Sequence, residues 1–212
     1  MKNKSIGYDK AITYGFYILL ALTLVYDVIV RDGEKVWRIG LIYVTIFVAR
    51  FLFTKTFMKK SKVAYIVALI FIFISMYLAN VWNFYGVPYY DKFLHLTSGV
   101  LLAFYGLILY IYLCGNKENK TMRPITIVIF PFIFAIAAAG IWEVWEFTTD
   151  QIFGLTAQMN DLHDTMWGII CGTIGGGFSC MLMYLHAKGK KVKVVEAIIS
   201  EITINKENID NI

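Results

Sequence analysis

Six carboxylates and two histidines recur between residues 91 and 164 of this sequence at intervals that place them side by side. Asp91 and His95 are four residues apart, and Glu143, Glu146 and Asp150 follow one another at spacings of three and four. On an α-helix those spacings select one face, so each set forms a stripe and not a ring. Asp161, His163 and Asp164 come next, after a short polar stretch that begins at Gln158, and Lys92 is the single cation set among them.

Carboxylates this close cannot all ionise in a low dielectric, so either some keep a proton or a cation neutralises them. Oxygen ligands with an imidazole suit a divalent ion such as Mg²⁺, Mn²⁺ or Zn²⁺, which polarises a phosphoryl or carbonyl group and activates water. The expected ligands are His95 and Glu143 with Asp91 or Asp164. Glu146 beside Glu143 is the expected general base, and Asp150, Asp161, His163 and Lys92 form the supporting ring. Plainer roles compete for several of them. Asp91 and Asp164 each suit the N-cap of a helix, Asp161 and His163 suit a solvated loop, and His95 suits a neutral hydrogen-bonded core position. Glu143 and Glu146 are hardest to explain structurally, because acids inside a membrane span are costly. The sequence carries no His-Glu-x-x-His metalloprotease pattern, glycine-rich phosphate loop or Ser-His-Asp order.

The elements that position these groups follow from composition. Of 212 residues, 58% are apolar and 17% charged, and the mean hydropathy is +0.63. A soluble domain carries roughly 45 to 50% apolar and about 25% charged residues. The apolar residues form six blocks of spanning length: Ala11 to Val30, Val36 to Phe57, Val63 to Asn83, Phe93 to Cys114, Ile125 to Phe147 and Met166 to Leu185. The fold class expected is therefore all-α, a polytopic membrane protein with six transmembrane helices in a single domain over 1–188. This excludes a soluble enzyme, a secreted disulfide scaffold and a nucleic-acid-binding module. The first block is too long for a signal peptide and lacks a small-residue cleavage site, so it reads as a retained helix. Cys114, Cys171 and Cys180 are spaced for neither a disulfide framework nor a zinc motif.

Orientation comes from the 20 Lys and Arg. With both termini inside, fifteen of them fall in cytoplasmic segments, among them Lys2, Lys4, Lys59, Lys60, Lys117, Lys120, Arg123 and Lys190, against four in outer loops. The net charge of +5 thus reports topology and contact with anionic lipid, with no nucleic-acid partner implied. In this N-in/C-in arrangement the acidic stripe faces outward. Glu143 lies about 10 Å deeper than Asp150, at 1.5 Å per residue, and approaches the bilayer midplane. Gly168, Gly172 and Gly176 recur every four residues and predict a close helix-packing face. Arg50 is placed to snorkel, and Asp27 either reaches the interface or joins the acidic cluster. Pro124 suits a first helical turn, and Pro131 is positioned to kink the fifth helix. The segment 189–212 spaces Val195, Ile198, Ile199 and Ile202 as an amphipathic helix on the inner surface, with a mobile tail as the alternative.

Three stretches together resemble a known group: Asp91-Lys-Phe-Leu-His95, Trp142-Glu-Val-Trp-Glu146, and Asp164-Thr-Met-Trp before a glycine-rich helix. They look like the uncharacterised YjdF-type family of bacterial inner-membrane proteins, over roughly residues 80 to 185. More loosely they are similar to VanZ-like membrane proteins, one of which is associated with glycopeptide resistance. Both groups share the Asp-Lys-x-x-His element and the glutamate at Glu143. VanZ-like proteins tend to carry glutamine where Glu146 stands, both usually carry aspartate where Gly168 stands, and VanZ-like proteins carry asparagine at the place of Gly172. The resemblance implies a multi-pass protein of the bacterial inner membrane, and it implies no agreed reaction. Three functions fit the residues. The first is a metal-dependent enzyme acting on a lipid-linked phosphate or glycan of the envelope. The second is a structural or assembly protein without catalysis, and the third a cation or proton transporter. Nothing in the sequence names an oligomeric state.

Overall fold

The computed structural model describes residues 7–56, 58, 61–114, 125–154, 157–158 and 161–207, with side chains to residue 202. Phe57, Pro124, Lys2, Lys4, Lys59, Lys60, Lys117, Lys120 and Arg123 lie outside the described residues. Among those described, the regular structure is helical and no strand occurs: α1 Tyr8–Val30, α2 Val36–Lys55, α3 Lys62–Ile72, α4 Tyr90–Cys114, α5 Thr126–Phe153, α6 Leu162–Ala187 and α7 Lys193–Glu207. α3 runs on as a π-helix over Phe73–Val81, and a short 3₁₀ turn covers Phe84–Gly86. Six helices are long and apolar enough to cross a bilayer, the third being α3 with its π continuation. Helices suit that solvent because every backbone group is satisfied within its own segment.

The chain divides into two compact units, Met1–Gly86 and Val87–Ile212. In the first, Leu20, Ile39, Ile42 and Ile46 are fully buried with Val81, and Leu69 nearly so. Two hydroxyl pairs cross its interior at 2.9 Å, Thr13 with Tyr65 and Thr23 with Tyr77. Each joins α1 to the third span where no water competes. Asp27 is buried and serves the turn that follows α1. Its Oδ2 accepts from the Lys35 backbone N–H at 2.8 Å, and its carbonyl accepts from Arg31 and Gly33. Arg31 then lies over the Trp82 ring, 4.7 Å from its centroid, and donates to the Val81 carbonyl. Arg50 pairs with Asp9 at 3.5 Å and covers the Tyr65 ring.

In the second unit α4, α5 and α6 pack on one another around small residues. A Cβ at Gly99 would run into the Gly172 carbonyl, and one at Gly175 into that of Leu96, so the α4 and α6 backbones touch. Gly172 and Gly176 meet the Ala139 and Ala135 methyls of α5, where an added Cβ would stand 3.0 and 2.9 Å away. α5 continues unbroken through Pro131, whose Cα would lie 2.9 Å from a Cβ at Gly106. α7 buries Val195, Ile198 and Ile202 and packs against α4 and α6.

Two boundaries differ from the sequence expectation and matter for the site. α5 extends past Phe147 to Phe153 and ends at Gly154 in the left-handed region, φ +64°. Asp150 is therefore helical and continues the stripe begun by Glu143. The N-cap of α6 is Asp161, whose carboxylate accepts from the His163 N–H at 2.9 Å. Asp164 sits one turn inside that cap and is free for another role.

Candidate functional site

The polar residues of the second unit converge where the first turns of α4 and α6 meet the last third of α5. α4 starts at Tyr90, which puts Asp91 in its first turn and His95 one turn deeper. His95 is 9% exposed and Glu143 5%. The His95 ring stands between two acids, with Nδ1 3.7 Å from Glu143 Oε1 and Nε2 3.6 Å from Asp91 Oδ1. Both separations exceed hydrogen-bond length.

Glu146 completes the group. One ligand atom from each of His95, Glu143 and Glu146 lies within 4.8 Å of the others. The indole of Trp142, one turn earlier on α5, donates to Glu146 Oε1 at 2.9 Å and fixes its carboxylate. Glu143 is held less completely. The Gln158 amide donates to its backbone carbonyl at 3.2 Å and approaches Oε2 at 3.5 Å, while Oε1 is buried without a hydrogen-bond partner. A buried carboxylate oxygen without a donor costs several kcal/mol unless a cation or proton completes it.

Asp91 and Asp164 share Lys92. Its ammonium donates to Asp91 Oδ2 at 2.9 Å and to Asp164 Oδ1, so one cation ties the start of α4 to the start of α6. These two acids thus flank the His–Glu–Glu group. Asp150 is buried at the end of α5, where its two oxygens accept from the Ala157 and Gln158 N–H groups at 2.9 and 3.0 Å. It shapes the loop that carries Gln158 back to Glu143. Asp161 and His163 are exposed at the cap of α6, and Asp27 makes its bonds within the first unit.

Gly168 belongs to the site as much as to helix packing. A Cβ there would overlap Glu143 Oε1 and stand 2.9 Å from His95 Cε1. The missing side chain is the space that the Glu143 carboxylate occupies. Sequence reading named Trp142 and Gln158 but gave neither a contact with the glutamates, and it did not find this use of Gly168. Trp142 was within reach, since it precedes Glu146 by one helical turn. Gln158 reaches Glu143 through a loop and leaves no periodic trace.

Six membrane-length helices with buried acids and an imidazole at one end of the last three define a multi-pass membrane protein. The chain belongs to the family of predicted membrane proteins DUF2238, whose model matches residues 12–189. The expected membership of an uncharacterised membrane-protein family is thereby borne out, while the looser VanZ-like similarity rests on the motifs alone. An uncharacterised protein of Thermotoga maritima is 23% identical over 121 residues, covering 56% of this chain and 60% of its own length. The chain thus spans about 60% of the length of the curated relative that it matches. No solved structure matches it significantly.

Proposed function

We propose that the protein sits in the bacterial inner membrane, holds a divalent cation on His95, Glu143 and Glu146, and uses it on a lipid-linked phosphate or glycan of the envelope. The observation that carries this reading is the convergence of three ligand atoms within 4.8 Å around a buried carboxylate oxygen that has no donor. A cation supplies the missing positive charge. Two carboxylates and an imidazole suit Mn²⁺, Mg²⁺ or Zn²⁺. Asp91, beside the far nitrogen of His95, then acts as the outer carboxylate that sets the ring's orientation, and Lys92 keeps Asp91 and Asp164 from adding two uncompensated charges. A bound ion would polarise a phosphoryl or carbonyl oxygen, and Glu146, the most exposed of the three, would take the proton of the attacking water on the carboxylate oxygen not turned to the ion.

Two features weigh against the other functions. A relay for transport needs titratable groups across the whole bilayer, yet α4, α5 and α6 carry no acid on the far side of Glu143. The packing there is of glycine and alanine. Buried polar atoms that serve structure alone are mostly satisfied; Glu143 Oε1 lacks a partner beside two further ligand groups, whereas Asp27 Oδ1, also unpaired, belongs to no such group among the described residues.

Elemental analysis of the purified protein beside a Glu143→Gln, His95→Ala double variant tests the reading. The expected result is near-stoichiometric metal in the wild type and none in a monodisperse variant. Absence of metal from the wild type after reconstitution with Mg²⁺, Mn²⁺ and Zn²⁺ in turn would overturn it.

A further inference from the structure

Between the start of α5 and the end of α6 lies a groove of about 330 Å³. Val128, Ile129 and Phe132 form its α5 wall, Gly177, Met181 and Tyr184 its α6 wall, and no lining residue is charged. Gly177 leaves it open. A Cβ added there would stand 3.7 Å from the Phe132 ring, an ordinary contact, whereas one at Gly172, Gly175 or Gly176 would come to 3.0 Å or less from a neighbouring helix. Those three glycines serve packing, and Gly177 serves space. The walls face outward from the unit, with Ile129 47%, Met181 52% and Tyr184 44% exposed.

Its mouth is basic. Lys188, one turn beyond Tyr184, holds its ammonium 5.5 Å from the centre of the Tyr184 ring, and Lys190, Lys191 and Lys193 follow it, all exposed. No Asp or Glu stands between Asp164 and Glu196. Among the described residues none of these four lysines forms an ion pair. Four cations without a counter-charge therefore stand at one end of an uncharged groove. From Gly177 to Lys188 is eleven residues, about 16 Å at 1.5 Å each, close to half of a hydrocarbon core of roughly 30 Å. Groove and mouth together span one leaflet.

We infer that this groove is a binding site for an anionic phospholipid, with the phosphate at Lys188, Lys190 and Lys191 and one acyl chain along Tyr184, Met181 and Phe132 to Gly177. Charge selects the head. A phosphate gains N–H donors and attraction from the lysines, whereas the ammonium of a zwitterionic head meets like charge. The groove makes the site more than a basic surface, because it holds one chain in one place. A single tightly held lipid follows, and not a diffuse layer. The inference does not rest on the cation reading, since the groove lies at the opposite end of α5 from Glu143.

Two kinds of variant separate the head from the chain. Delipidated protein in EDTA and at fixed salt is titrated with phosphatidylglycerol, phosphatidylethanolamine and phosphatidylcholine of identical acyl chains, and bound lipid is counted by native mass spectrometry. One phosphatidylglycerol is expected to bind at least tenfold more tightly than either zwitterionic lipid. The preference is expected to vanish in a Lys188→Gln, Lys190→Gln, Lys191→Gln triple variant. Gly177→Trp leaves the charge unchanged and fills the groove, and is expected to lose the tight first lipid. Should that variant not remain monodisperse, Ile129→Trp obstructs the groove from the α5 wall. Equal binding of the three lipids, or a preference kept by the triple variant, would overturn the inference. So would a tight first lipid kept by a monodisperse tryptophan variant, which would reduce the binding to general attraction. A dimer that excludes lipid would overturn it by assigning the groove to a second copy of the chain. The lipid assay contains no metal and the metal assay no added lipid, so failure of one proposal is distinguishable from failure of the other.

Discussion

At the scale of single residues, two glycines at helix contacts make opposite demands. At Gly99 an added methyl would strike the Gly172 carbonyl, a backbone atom that cannot move without separating α4 from α6. At Gly168 it would strike the end of the Glu143 side chain, which can rotate away. Gly99→Ala is therefore expected to lower the melting temperature, since overpacking of this kind costs about 1–3 kcal/mol. Gly168→Ala is expected to leave the melting temperature nearly unchanged while weakening divalent-cation binding about 10- to 100-fold, the usual effect of disturbing a ligand's support. Thermal unfolding and a metal titration of both variants in one detergent check the contrast. A Gly168→Ala protein that binds metal like the wild type would show that Glu143 need not occupy that space. In this chain the space is filled by the carboxylate of Glu143, arriving from α5, so acidity at the site is kept although position 168 lacks a side chain.

At the scale of elements, α5 carries the site and the loop after it carries the support. Glu143, Glu146 and Asp150 share its stripe because three- and four-residue steps nearly close a turn, and this much was legible in the sequence. So were the six spans, the first four within three residues by hydropathy alone, whereas α5 runs on six residues past its expected end and α6 begins four residues early. What the sequence hid is what depends on meetings between distant segments. Lys92 joins Asp164 across 72 positions, Gln158 returns to Glu143 through a loop, and the π-helical continuation of α3 has no hydropathy signature. Local chemistry misled in one place, where Asp161 and not Asp164 caps α6, because both aspartates precede an apolar run and only the backbone decides between them. The role of Asp150 follows from the same loop. Its carboxylate holds the Ala157 and Gln158 N–H groups, charge-assisted bonds whose loss typically costs about 1.5–3 kcal/mol. Asp150→Ala is expected to release Gln158, raise amide exchange at residues 157 and 158, and weaken metal binding less than the Glu143→Gln change. Exchange at 157 and 158 equal to that of the wild type would remove Asp150 from this role.

At the scale of the whole molecule, the side of the membrane that the site faces decides which substrates can reach it. The positive-inside rule leads us to expect Lys188, Lys190, Lys191 and Lys193, beyond the end of α6, in the cytoplasm. α6 then carries Asp161 and Asp164 to the opposite face, and α4 and α5 bring Asp91, His95, Glu143 and Glu146 to the same level. Cysteine labelling measures this orientation directly. In a background with Cys114, Cys171 and Cys180 replaced, single cysteines at Glu34, Leu162 and Lys190 report each side. Glu34 and Leu162 are well exposed, 67% for the Glu34 side chain and 74% for Leu162, and Lys190 is also exposed. A membrane-impermeant maleimide added to cells with a permeabilised outer envelope is expected to label the first two positions, and to label Lys190 only after the inner membrane is opened. The reverse pattern would turn the site toward the cytoplasm. The proposed cation site would then serve a substrate of the inner leaflet, and an envelope glycan would no longer be within reach. Labelling of Glu34 and Leu162 from opposite sides would contradict the even number of crossings between them, and with it the span assignment of α2, α3, α4 and α5.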